Sequence, residues 1–129
     1  GQVSNYAEPS EHLRSPSMAP GELNQNDILN EIDRGLYLSN IHYLNWSDNP
    51  KGRITGLTRY ACFWVESGEI VGPIDTMRFD DSFYNYFGDS LLQVGKETEF
   101  IPSTSTYGNR EMGGTTCPGI LAVSLALTL

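Results

Sequence analysis

Apolar residues crowd most densely over residues 53–66, "RITGLTRYACFWVE", whose β-branched and aromatic content predicts one long strand. Gly56 inside it predicts a bulge. The chain reverses at Ser67-Gly68 into "EIVGP", residues 69–73, a short hairpin signal. Period-two alternation places Phe63 and Val65 on one face and Tyr60, Cys62 and Trp64 on the other. Both faces are apolar, which predicts a central strand covered on two sides. A second strand is expected over "LYLSNIHYL", residues 36–44, with Leu36 and Leu38 in the core. The breakers Asn49, Pro50 and Gly52 make residues 45–52 a turn-rich loop. At the C-terminal end, Leu121, Val123, Leu125, Leu127 and Leu129 alternate onto one face, the pattern of a core strand.

Two segments carry helical spacing instead. "DILNEIDR", residues 27–34, has Asn24 or Asn26 as a cap, a narrow apolar face of Ile28, Leu29 and Ile32, and Gly35 where a helix would end. "DSFYNYFGDSLLQV", residues 81–94, repeats Phe83, Phe87 and Leu91 every four positions, with Asp81 or Ser82 as a cap and Gly95 as a stop. Then follow a short strand, "TEFIP", and a polar glycine-rich loop, "STSTYGNREMGGTT", over residues 103–116. Residues 1–22 mix Ser, Pro and Glu with few branched apolar residues and are expected to form a disordered tail ahead of one domain, residues 23–129. The order of elements predicts an α+β domain, β-rich and mainly antiparallel, sheet- or barrel-like, with two short helices.

Charge narrows the partners. The 129 residues carry a formal net charge of −8, and the eight Lys and Arg are scattered singly. Such a chain has no phosphate-binding surface, so neither nucleic acid nor an anionic membrane is an expected partner. No stretch approaches the roughly 18 apolar residues of a membrane span. The chain opens on Gly1 without an initiator methionine and is expected to be part of a longer protein. Its two cysteines, Cys62 and Cys117, stand far apart with no His or acid at ligand spacing, and buried thiols are the simpler expectation. His12 and His42 lie in the tail and in a strand, so no metal site is expected from this chain. Gly113-Gly114 lacks the Lys-Ser/Thr of a phosphate loop, and no GxSxG elbow occurs. The Ser/Thr-rich loop is the one polar stretch that such chemistry leaves unexplained.

"GLYLSNIH", then "GRITGLTRYACFWVESGEIVGPIDTMRF", then "FG" and "LLQVGKE", together resemble the C-terminal domain of the TldD/PmbA family, also called modulators of DNA gyrase or peptidase family U62. The resemblance runs from about Leu23 to Leu129 and is sharpest between Gly52 and Arg78. It implies a longer parent protein and a cytoplasmic heterodimeric metallopeptidase acting on unfolded or extended peptides. In that family an HExxxH helix in an earlier domain of the catalytic subunit carries the metal, and a cysteine before a Gly-Lys-Glu-like stretch helps complete the site. Here Val94 stands at that cysteine's position. Valine cannot ligate a metal, so the chain is more similar to the metal-free PmbA (TldE) subunit. Zinc or a similar metal is then expected only in a TldD-type partner subunit.

The expectation that follows is a non-catalytic domain. It would pack on the N-terminal part of its own parent protein, contribute to the subunit interface and wall a chamber for extended peptides. Arg59, Ser103, Thr104, Ser105 and Thr106 are the candidate substrate-binding residues, hydrogen-bonding a peptide backbone at a strand edge. Two other classes stay open: a catalytic TldD-type subunit with Cys62, Cys117 or His42 as a divergent ligand, and a free-standing interaction module.

Overall fold

The computed structural model describes residue 13, residues 15–104 and residues 113–128. Seven strands dominate: β1 (Arg34–Asp48), β2 (Arg53–Glu66), β3 (Glu69–Pro73), β4 (Arg78–Ser82), β5 (Leu91–Pro102), β6 (Gly114–Ala122) and β7 (Leu127–Thr128). All their pairings are antiparallel. One sheet runs β1-β2-β4-β7, with β3 also paired to β2, and β5 and β6 form a separate two-stranded ribbon. The fold is thus mostly antiparallel β, as expected. The barrel-like closure is not realised, because among the described strands β1 pairs with β2 alone and the ribbon stays separate.

The central strand is where the sequence pattern places it. β2 is flanked by β1 along one edge and by β3 and β4 along the other. Its hairpin to β3 turns at Ser67 (φ 51) and Gly68 (φ 79), two left-handed residues in a row, as a type I′ connection requires. The strict alternation fails at one point. Between the pairs Leu38–Cys62 and Asn40–Arg59, β2 carries one residue more than β1, and Tyr60 takes a left-handed φ of 62. The bulge throws Tyr60 out to 71% exposure, while Cys62 (3%) and Val65 (0%) are buried. Leu36, Leu38, Phe63 and Trp64 are half-buried.

β1 is longer than its apolar pattern suggests and absorbs most of the expected 45–52 loop, leaving a turn over residues 49–52 closed by Gly52 N–H donating to Asn49 C=O at 3.0 Å. A second bulge lies opposite Gly56, with the extra residue on β1, not on the glycine's strand; Tyr43 there has φ 52. Gly56 serves packing. A Cβ at that position would come within 2.9 Å of Leu44 and 2.8 Å of the Phe79 ring, and Phe79 is 1% exposed.

Both expected helices shrink. Residues 25–31 form a 3-10 helix, Gln25–Glu31; Asn24 caps no backbone group and its side chain donates to Asp27 Oδ2 instead (3.2 Å). Gly35, expected as the helix stop, lies inside β1. The 81–94 helix is replaced by the end of β4, one π-helical turn at Asn85–Asp89 and the start of β5. Ser82 does cap the turn, its Oγ accepting the Tyr84 N–H at 3.2 Å. Past Ser90 the pairing of Leu91 with Ala122 draws the chain into the ribbon. "TEFIP" is the far half of that same strand.

The C-terminal alternation is also divided. β6 ends at Ala122, residues 123–126 cross over, and β7 joins β4 in the other sheet; Val123 and Leu127 are exposed, not core. Residues 16–23, expected in the tail, lie along the ribbon. Ser17 bridges Thr116 and Leu23 bridges Gly95, both in parallel sense. Leu23 is 6% exposed, and Leu23 N–H donates to Val94 C=O at 3.2 Å. Residues 1–12 lie outside the described residues.

Candidate functional site

Two of the three register shifts between β1 and β2 bracket residues 39–42, and beneath that stretch lies a pocket of about 190 Å³. Its apolar walls come from Leu38 and Ile41 of β1, Phe79 of β4, Phe83 and Tyr86 of the helical turn, and Leu125 of the crossover. Trp46 stacks obliquely on Phe83 at 5.6 Å between ring centres, and Phe83 stacks on Phe87 at the same distance. The helical spacing of Phe83 and Phe87 therefore builds one aromatic step at the pocket mouth.

Asp81 is the one ionisable carboxylate in the pocket wall, and it is 7% exposed. Its Oδ1 accepts the Ser82 N–H (2.7 Å) and the Asn85 amide (3.1 Å), and its Oδ2 accepts the Ala126 N–H (3.0 Å). Burial pushes the carboxyl up, but those three donors and the Arg53 charge outweigh it and hold the acid below the usual aspartate range. Burial and the nearby Asp81 charge push the Tyr86 phenol above its ordinary value. A carboxylate with this many donors is a fastener between β4, the turn and the crossover. Asp80 beside it is engaged by Arg53, whose Nε donates to Oδ1 at 2.8 Å and whose guanidinium also donates to the Asp80 carbonyl at 2.9 Å.

The residues singled out in the sequence disperse over the fold. Arg59 is exposed on β2, stacks over the Tyr60 ring at 4.7 Å, and pairs in register with Asn40, which lines the pocket. Ser103 and Thr104 follow β5 at the far end of the ribbon, where Ser103 N–H donates to Gly113 C=O at 2.9 Å. Ser105 and Thr106 lie outside the described residues. Among the described residues no hydrogen bond joins Arg59 to Ser103 or Thr104. Cys62 is a buried free thiol donating to the Arg59 carbonyl at 3.2 Å, and Cys117 is a half-buried free thiol in the ribbon. His42 is half-buried with its Nδ1 3.5 Å from the Leu57 carbonyl. The pocket draws its lining from β1, β2, β4, the helical turn and the crossover, a convergence that no local residue pattern announces.

A sequence profile for the PmbA/TldA metallopeptidase C-terminal domain matches residues 2–128 of this chain. The chain belongs to this family. A sequence search among curated proteins finds no match. The crystal structure of TldE from Thermococcus kodakarensis has the same fold, with a TM-score of 0.65 at 21% identity over 86% of this chain. The chain spans 22% of the length of that protein.

A metallopeptidase family raises the question of metal ligands. Among the described residues no three His, Cys, Asp or Glu side chains converge on one point. Asp80 and Asp81 are committed to Arg53 and to three hydrogen-bond donors. Val94 is half-buried in β5 opposite Ile120. The described residues do not fit a metal.

Proposed function

We propose that this domain is the non-catalytic C-terminal domain of a PmbA/TldD-type metallopeptidase assembly, of the PmbA (TldE) kind. In this reading it contributes to the subunit interface and to the wall of a chamber for unfolded or extended peptides, while a TldD-type partner subunit in the cytoplasm holds the metal. The observation that carries the reading is Val94. The position that the family resemblance assigns to a metal-completing cysteine is occupied by a hydrocarbon side chain whose backbone is tied to Leu23.

One edge suits an extended peptide. The first five residues of β1, from Arg34 to Leu38, form a regular stretch whose outer edge has no strand beside it among the described residues, and main-chain groups there can accept an added strand. Arg59 on β2 and, separately, Ser103 and Thr104 at the far end of the ribbon offer a guanidinium and hydroxyls to peptide carbonyls.

Steady-state cleavage of an unfolded peptide by the full-length protein reconstituted with its TldD-type partner tests the reading. Arg59→Ala and the pair Ser103→Ala with Thr104→Ala are expected to raise KM several-fold with kcat unchanged, the mark of lost binding without lost chemistry. A fall in kcat at constant KM, or cleavage by the full-length protein without any partner, would place catalysis in this subunit and overturn the proposal.

A further inference from the structure

We infer that residues 16–23 act as a positioning strap. They hold the β5–β6 ribbon and its Ser103–Thr104 end in place, and release of this one segment frees the ribbon while the five-stranded sheet stays folded. The inference rests on the reading under Proposed function only for what Ser103 and Thr104 do there.

A two-stranded ribbon is marginal by itself in water, and in this one Leu92, Phe100 and Ile101 are exposed. The large side chain buried against it, Leu23, belongs to the strap. Its own pairing is also interrupted. Between the pairs Val94–Ile120 and Thr98–Pro118, residues 95–97 of β5 stand opposite the single Gly119 of β6.

The strap meets the backbone at that interruption. Gly95 C=O accepts the Gly21 N–H at 2.8 Å, Val94 C=O accepts the Leu23 N–H at 3.2 Å, and Lys96 N–H donates to Leu23 C=O at 2.8 Å. On β6, Thr116 N–H donates to Pro16 C=O at 3.0 Å and Thr116 C=O accepts the Met18 N–H at 2.9 Å. The strap therefore passes from one strand to the other at Ala19-Pro20, where a proline with fixed φ and no N–H suits an extended crossing. Gly21 follows because nothing larger fits: a Cβ there would collide with the Val94 carbonyl and come within 2.8 Å of the Val94 Cβ.

The strap also continues into the ribbon's link with the sheet. Leu23 leads into the 3-10 helix Gln25–Glu31. Gln25 N–H donates to Glu97 Oε2 at 3.0 Å, and Glu31 Oε2 accepts the Gln93 amide at 3.2 Å. Just past the helix, Ile32 C=O accepts the Gly68 N–H of the β2–β3 turn at 3.0 Å. One continuous segment, residues 16–32, thus joins the ribbon to that hairpin. The near end of the ribbon has a second tie, between Ser90 and Val123. Its far half, which leads to Ser103 and Thr104, meets the strap at Thr116, the partner of Phe100. Losing the strap removes this hold from the half that carries the candidate peptide-binding hydroxyls.

Gly21→Ala displaces the strap beside its crossing without altering the ribbon's own residues, and Leu23→Ala is an independent second variant. Hydrogen-exchange mass spectrometry of the full-length protein reads both. In each variant residues 94–102 and 114–118 are expected to exchange about tenfold faster than in the wild type, with β2 changed by less than about twofold. Ribbon exchange unchanged in both variants, or β2 accelerated as much as the ribbon, overturns the inference. Peptide cleavage by the assembly reconstituted with its TldD-type partner separates this inference from the reading on which it rests. A raised KM at constant kcat is expected, as for the Ser103→Ala and Thr104→Ala pair. Faster ribbon exchange with a wild-type KM would leave the strap standing and remove Ser103 and Thr104 from the peptide site.

Discussion

The five-stranded sheet and the β5–β6 ribbon are held together by different means. In the sheet, side chains do the packing: Phe79 fills the space above Gly56, with Val65 and Cys62 buried along β2. In the ribbon the buried positions are Gly95, Gly114 and Pro118, and Leu23 from the adjoining segment is the one buried large side chain. A Cβ on Gly95 would come within 3.0 Å of the Gly119 carbonyl, and one on Gly114 would meet the Ile101 carbonyl and, at 2.7 Å, the Phe100 ring. The ribbon is an assembly of closely approaching backbones, and it depends on hydrogen bonds and on the absence of side chains. The two regions meet chiefly at the helical turn and the crossover, where Asp81 holds Ala126 and Ser90 C=O accepts the Val123 N–H at 2.8 Å.

The sharpest break in this comparison comes from Phe79→Ala. Emptying the best-buried aromatic site is expected to cost about 3–5 kcal/mol, measured by chemical denaturation, and to unfold the sheet first. Asp81→Ala comes next, at about 2–3 kcal/mol, because three donors lose their acceptor. It also carries a pH signature. Asp81 has a folded pKa below its unfolded value of about 3.9, so its stabilisation is present above that value and is lost as pH falls through the folded pKa. The wild-type protein should therefore lose stability below about pH 4 more steeply than Asp81→Ala does.

Gly114→Ala probes the other region. The added methyl meets backbone and ring and is expected to cost about 1–3 kcal/mol, with amide exchange accelerated in β5 and β6 and little changed in β2. Equal acceleration in both regions would show that sheet and ribbon open as one unit. Lys51→Ala is the smallest change. Its ion pair with Asp48 is exposed on the lysine side, and its loss should stay below about 1 kcal/mol in the same denaturation assay.

The same contrast explains what could be read from the sequence. The β2–β3 hairpin was legible because its signals are local: β-branched and aromatic content, then two residues that tolerate left-handed φ at Ser67-Gly68. Residues 81–94 were not, because the spacing of Phe83 and Phe87 suits a single tight turn as well as a long helix. The pairing of Leu91 with Ala122, thirty-one positions away, decides between them. The C-terminal leucines alternate correctly for a strand, but nothing local reveals that β6 and β7 serve different sheets. The segment 16–23 looked too polar to order, and it is ordered by backbone bonds to the ribbon that composition does not register. The pocket was illegible because its lining converges from distant parts of the chain. Bulges at Tyr43 and Tyr60 were illegible too: they arise from how two strands register against each other, and either tyrosine alone is an ordinary strand residue. The family resemblance, by contrast, was visible in the β2–β3 hairpin and in "LLQVGKE".

The metal content of the full-length protein, purified without its partner, tests the non-catalytic reading most directly. Elemental analysis should find metal well below one equivalent per chain, with no change on Cys62→Ser or Cys117→Ser. One equivalent of metal that is lost on either substitution would contradict the reading and make this domain part of a catalytic subunit with divergent ligands.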